Sequence, residues 1–246
     1  FGSSEVASQA TDRISIQVTR RISRGKKADE EAFLRDQPVT ISQEGDTVTV
    51  RSKATTKGPW SWKGRQQIAG KYVITLPAKF DVRLKTAGGG IEVRDVDGEV
   101  KLDTSGGDLR VQGGGGSLVG HTSGGSVAVK SFQGPVQVNT SGGSVRLDDV
   151  TGAVDGSTSG GSVSASLATV AEPVKLSTSG GAVTLRVPSG AAFDLDASTS
   201  GGSVGCDLPV TVTGKRSGSR LQGPVNGGGK PVVLRSSGGD VRVKTI

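Results

Sequence analysis

The sequence predicts an all-β protein: a single-stranded, right-handed parallel β-helix (a β-solenoid of about 18 residues per coil) with an N-terminal β-rich cap containing one short helix. Three observations predict it. A Thr-Ser-Gly-Gly element recurs at Thr104, Thr122, Thr140, Thr158, Thr178 and Thr199, with variants at Thr86-Ala87-Gly88-Gly89 and Ser236-Ser237-Gly238-Gly239. Within each repeat the apolar residues alternate with a spacing of two, the period of a strand. Aromatics are only 3% of residues while 40 are glycine, so the core is thin and aliphatic and the corners are tight.

The elements follow in chain order. Residues 12–22 alternate and read as a strand, as do 38–43, 46–53 and 71–76, with a turn at Glu44-Gly45-Asp46. Residues 27–36 read as a short helix, favoured by Asp29 to Glu31 near its N-terminus and limited downstream by Pro38. These elements make residues 1–70 the cap. Residues 71–246 are the solenoid, continuous with it.

Numbered by its first glycine, the repeat falls at 88, 106, 124, 142, 160, 180, 201 and 238. The last step is about twice the others and predicts a degenerate repeat near Ser217-Gly218-Ser219. A second glycine column stands at Gly98, Gly116, Gly134 and Gly152. Glycine suits such corners because it reaches positive φ without a Cβ clash. Ile91, Leu109, Val127, Val145, Val163, Val183 and Val204 form one inward column. Val100, Leu118, Val136 and Val154 form another. Charged and polar residues between them face water. Equal spacing predicts that like stacks on like, with adjacent coils paired in parallel about 4.8 Å apart. Right-handed winding follows from the crossover rule. The same parity turns Thr104, Thr122, Thr140, Thr158, Thr178 and Thr199 inward as a structural ladder. Each hydroxyl then needs a neighbouring hydroxyl or a corner carbonyl. An ice-binding role for these threonines fails on that parity.

Charge and composition narrow the function. Residues 1–85 hold 16 Lys/Arg against 9 Asp/Glu, so the net charge of +7 is entirely N-terminal. No recognition helix, zinc spacing or ribonucleoprotein signature accompanies it, so nucleic acid is not an expected partner. No apolar run approaches the roughly 20 residues of a membrane helix. One Cys and one His exclude a disulfide framework and multi-Cys or multi-His metal centres, and neither cofactor nor metal is expected. The start Phe1-Gly2-Ser3-Ser4 has no Met and no leader, as expected of a removed targeting segment or an artificial start.

The strongest binding candidate is Trp60 and Trp62 flanked by Lys57, Lys63 and Arg65, a set able to stack sugars or grip an acidic polymer. The competing reading is a flap over the end of the core. His121 lies in an outward column with Asp103 and Asn139 and reads as a surface histidine. Cys206 reads as a small buried apolar residue. Asp148, Asp149 and Asp155 are carboxylates near one corner. They read as solvated acids rather than a lyase, hydrolase or calcium site, because short coils leave no cleft. No catalytic residue is assigned.

Two stretches carry a family resemblance. The first is Tyr72-Val73-Ile74-Thr75-Leu76-Pro77, then Val82-Arg83-Leu84-Lys85-Thr86-Ala87-Gly88-Gly89 and the Thr-Ser-Gly-Gly series. The second is the ending Gly227-Gly228-Gly229 and Val232-Val233-Leu234-Arg235-Ser236-Ser237-Gly238-Gly239-Asp240-Val241. Together they resemble the bacterial putative-adhesin family of unknown function, relatives of head-GIN-type domains, over residues 38–246. The resemblance implies a right-handed parallel β-helix and an extracytoplasmic setting: secreted, periplasmic or cell-envelope associated. It carries over no catalytic or metal residue.

The expected function is therefore a non-catalytic extracytoplasmic scaffold or adhesin-like module, with an anionic glycan or cell-surface polymer as partner. The alternative is a glycan-binding or glycan-processing protein using the basic, Trp-containing N-terminal region. A third expectation is self-association through solenoid ends, with Asp240–Ile246 as an exposed edge checked by Arg242 and Lys244.

Overall fold

The computed structural model describes residues 2–23, 31, 34–35, 38–52, 67–212 and 217–246. Alternating sequence becomes strand almost throughout. The strands are β1 (Gly2–Gln9), β2 (Ser15–Ser23), β3 (Val39–Glu44), β4 (Thr47–Ser52), β5 (Gln67–Pro77), β6 (Val82–Thr86), β7 (Ile91–Arg94) and β8 (Asp97–Thr104). There follow β9 (Leu109–Gln112), β10 (Gly115–Thr122), β11 (Val127–Phe132), β12 (Val136–Thr140), β13 (Val145–Val150), β14 (Val154–Thr158) and β15 (Val163–Ser166). The last are β16 (Val174–Thr178), β17 (Val183–Val187), β18 (Phe193–Thr199), β19 (Val204–Cys206), β20 (Arg220–Val225), β21 (Lys230–Ser236) and β22 (Val241–Thr245). Of the helix expected at 27–36, Glu31, Leu34 and Arg35 are helical; its other residues lie outside the described set.

The chain divides into two compact units. In the smaller, Val18–Lys71, β3 and β4 form an antiparallel hairpin turning at Gly45, whose φ of 57° is the left-handed conformation a tight turn asks of glycine. The larger, Gly2–Gln17 with Tyr72–Ile246, is a β-solenoid-like stack. One of its sheets runs β20-β18-β21-β16-β14-β12-β10-β8-β6; the other holds β19-β22-β17-β15-β13-β11-β9-β7-β1 in that order. Each turn of chain gives one strand to each sheet. Val127 stands on Val145 and Val145 on Val163; on the opposite sheet Val82, Val100, Leu118, Val136 and Val154 stand in one line.

Between the sheets lies one aliphatic core. Val136, Val138, Val145, Leu147 and Val150 of a single turn are all at most 2% exposed. Burying each such side chain contributes roughly 1.5–3 kcal/mol before the entropy cost of ordering it. The facing sheets interlock by size: Leu109 fills the space over Gly120, and Leu147 the space over Gly156.

Three expectations are corrected. First, β1 was not foreseen as a strand. It pairs in parallel with β7, Val6 beside Val93, and the Gly2 carbonyl accepts the Thr86 hydroxyl at 3.2 Å. Second, the described residues near Ser217–Ser219 do not form a degenerate coil. That region leads into β20, which runs antiparallel along β18, Leu195 beside Gly223, and covers its edge. Third, the coils do not stack in sequence order at the C-terminus. The turn formed by β21 and β22 lies between the turn of β16 and β17 and the turn of β18 and β19. Val241–Val243 is therefore no outer edge, Val241 being flanked by Val183 and by Val204, while Lys244 and Thr245 pair with β17 alone.

Candidate functional site

Among the described residues, the buried polar side chains of the stack are six threonines and Ser236. Thr104, Thr122, Thr140, Thr158, Thr178 and Thr199 are at most 8% exposed. Each donates its hydroxyl to the second glycine carbonyl of the neighbouring coil: Thr104 to Gly89 at 3.0 Å, Thr122 to Gly107 at 2.8 Å, and Thr140 to Gly125, Thr158 to Gly143, Thr178 to Gly161 and Thr199 to Gly239, all at 2.7 Å. Most also accept the N–H of the second glycine in their own coil, as Thr122 does from Gly125 at 3.3 Å. A buried hydroxyl is thereby satisfied as donor and as acceptor.

The same geometry explains the second glycine of each Thr-Ser-Gly-Gly element. The second glycine of each element is needed for close approach. A Cβ on Gly125 would meet the Gly107 carbonyl oxygen at 2.1 Å, whereas one on Gly124 meets nothing nearer than 3.6 Å. The positive φ expected of corner glycines holds at Gly116 and Gly134 of the second glycine column, with φ of 104° and 133°, and left-handed backbone also occurs at the corner of Asp95, Gly113, Ser131 and Asp149, with φ of 56°, 70°, 55° and 56°. Three of those four are not glycine, so no glycine signal marked the corner.

An outward ladder parallels the inward one. Asp108 Oδ1 accepts the Ser126 N–H, Ser126 Oγ the Ser144 N–H, Ser144 Oγ the Ser162 N–H and Ser162 Oγ the Ala182 N–H. In the inserted coil the acceptor is Asp240. Its Oδ1 takes the Ser203 N–H at 2.8 Å and the Ser203 hydroxyl at 2.9 Å, and its Oδ2 takes Arg242 at 2.9 Å. The backbone N–H of Ser203 above all, then the Arg242 guanidinium, hold the Asp240 carboxyl down from 3.8 to about 2.

On the outer face of the sheet holding β10, β12, β14, β16 and β21, two columns frame an open groove of about 580 Å³. Pro135, Ala153, Pro173 and Pro231 form its rim. Each immediately precedes a paired strand position (Val136, Val154, Val174, Val232), where the ladder asks for a carbonyl. The Pro173 carbonyl accepts the Val154 N–H at 3.0 Å, so proline is tolerated there and its ring becomes apolar surface. Val119, Gln137, Asp155, Lys175 and Val233, neighbours in register, form the floor. Lys175 Nζ reaches Asp155 Oδ2 at 3.3 Å.

The singled-out residues are distributed as follows. Trp60, Trp62, Lys57, Lys63 and Arg65 lie outside the described residues. His121 is exposed, and its Nδ1 hydrogen-bonds Asn139 Oδ1. The structure does not bring the three corner acids together. Asp148 pairs with Arg146 at 2.6 Å and raises its pKa, Asp149 accepts the Ser131 hydroxyl at 3.1 Å, and Asp155 faces Lys175. Cys206 is half-buried rather than buried, because β19 is an edge strand; desolvation still pushes its thiol pKa up. The groove was missed. Its prolines and Ala153 were visible in the sequence, but only the register puts them in line.

No curated protein matches the chain. A solved structure, that of a putative cell adhesion protein from Clostridium sporogenes ATCC 15579, aligns with 100% of this chain and 90% of its own at 11% identity, with a TM-score of 0.30. The family model described as Toastrack DUF4097 matches residues 2–244, from the first strand of the stack into the last. The chain belongs to the Toastrack DUF4097 family.

Proposed function

We propose that this chain is a non-catalytic, adhesin-like scaffold working outside the cytoplasm, wound as a right-handed solenoid of about 18 residues per coil. The observation that carries the reading is the commitment of the repeat's polar groups to joining one coil to the next: the Thr hydroxyls to glycine carbonyls, the outward Ser and Asp oxygens to backbone N–H groups. Such a stack is rigid and presents long registered columns, the property a binding platform needs. The kinship with head-GIN-type domains rests on the Gly227–Val241 ending and the repeat. The partner is an anionic glycan or cell-surface polymer, drawn by the basic first 85 residues and gripped by Trp60, Trp62, Lys57, Lys63 and Arg65.

The test pairs retention with turnover. The purified chain is passed over dextran sulfate and neutral dextran, and incubated with polygalacturonate while reducing ends are followed. Salt-sensitive retention on the sulfated matrix, lost in the Trp60→Ala, Trp62→Ala double variant and without new reducing ends, is the expected result. Release of reducing ends makes the chain a glycan-processing enzyme. Retention on neither matrix removes the glycan partner.

A further inference from the structure

The order of the C-terminal coils has a consequence beyond scaffolding. After β17 the chain skips one layer. It builds β18 and β19, covers β18 with β20, and returns to fill the skipped layer with β21 and β22. The filled layer is an ordinary coil by its backbone. The rung from Val127 to Ser144, Val145 to Ser162 and Val163 to Ala182 continues from Val183 to Asp240 at 2.9 Å and from Val241 to Ser203 at 2.9 Å. Any segment carrying this repeat meets the same demands, so the layer recognises a coil rather than a covalent neighbour.

Three features set the two junctions of this layer apart. In the regular stack the first-glycine N–H of Gly124, Gly142, Gly160 and Gly180 bonds the preceding coil's serine carbonyl at 2.9 Å. At the inserted layer the corner bonds are Ser237 N–H to Thr178 at 3.1 Å and Ser200 N–H to Ser236 at 3.3 Å, both longer. Below the insert Ala182 has no side-chain oxygen, so the outward ladder stops there. Above it β19 pairs through three residues alone.

The linker is a short left-handed run. Asn226, Gly227 and Gly228 have φ of 48°, 93° and 84°, and join β20 to β21 across the start of β18. A short linker before an exchangeable element is the arrangement that permits swapping between copies.

We propose that the layer between the Val174–Val187 and Phe193–Cys206 turns is a strand-acceptor site, and that Lys230–Thr245 is its exchangeable insert, which a second copy of this chain can supply. With the insert withdrawn, the site exposes two parallel sheet edges on each side, which pair with the matching segment of another copy as a donated strand pair does. The glycines of the linker can extend without a Cβ penalty, and the reciprocal exchange closes a symmetric dimer.

The test uses the full chain carrying Cys206→Ser. Tagged and untagged copies are mixed at high concentration in mild denaturant, returned to buffer, and captured by the tag. The comparison protein adds Thr184→Cys and Arg242→Cys, register partners that a disulfide can join across the junction. Should that bridge not form, Lys175→Cys with Val233→Cys, also register partners, replaces it. Mixed dimers that form with the unlocked chain, vanish with the oxidised lock and return on reduction are expected. Mixed dimers indifferent to the lock come from another surface and overturn the proposal, as does their absence from the unlocked chain.

Discussion

The Thr199 hydroxyl donates to the carbonyl of Gly239, forty residues later in the chain, at 2.7 Å. Every regular rung before it reaches back, as Thr178 does to Gly161. Ser236 takes the place Thr199 would hold in a stack of strict sequence order, donating to Gly181 at 2.8 Å. The threonine ladder thus records the insertion bond by bond.

Removing a rung should cost what a buried, unpaired carbonyl costs. Thr122→Val keeps the shape but strands the Gly107 carbonyl and the Gly125 N–H, and should destabilise by about 1–3 kcal/mol. Thr122→Ser retains the hydroxyl and should lose less. Urea midpoints of the three proteins check the order.

The two glycines of one element should respond unequally. Gly125→Ala drives a methyl to 2.1 Å from a backbone oxygen that has no side chain to move aside, and should destabilise by several kcal/mol, at or beyond the ~1–3 kcal/mol of ordinary overpacking. Gly124→Ala, with 3.6 Å of room, should stay within about 1 kcal/mol of the parent. Equal losses in thermal denaturation would mean that the close approach is not what selects glycine.

Much of this architecture was legible, and the reasons differ by element. A spacing of two with one wet face identifies strands, so β3, β4 and the inward columns of the stack followed from alternation. β1 was overlooked, although Gly2-Ser3-Ser4-Glu5-Val6 mirrors Gly89-Gly90-Ile91-Glu92-Val93, its register partner. Coil order was not legible, because each coil offers its neighbours the same bonds; only the long step from Gly201 to Gly238 hinted at it. The groove needed the register first. The left-handed Asp95, Ser131 and Asp149 have no compositional mark.

Acid should loosen the inserted layer before the regular coils. Asp240 is held near 2 in the folded chain against an ordinary 3.8, so its contribution is present above about pH 4 and is lost as the pH falls toward 2. Thermal unfolding of the parent and of Asp240→Asn should differ at pH 5 and converge toward pH 2. A constant difference across that range would remove Asp240 from the acid response.

Cys206 should alkylate slowly. It is half-buried with a raised pKa, so at pH 8 iodoacetamide should react more slowly with the native chain than with the urea-unfolded one. Equal rates would contradict its placement against the stack.

The most direct measurement is disulfide trapping of the coil order. In a Cys206→Ser background, Ser177→Cys is combined with either Arg235→Cys or Ser198→Cys. Ser177 lies beside Arg235, and Arg235 beside Ser198. The inserted order predicts rapid oxidation of the 177–235 pair and none of the 177–198 pair, while a bridge between 177 and 198 would contradict it.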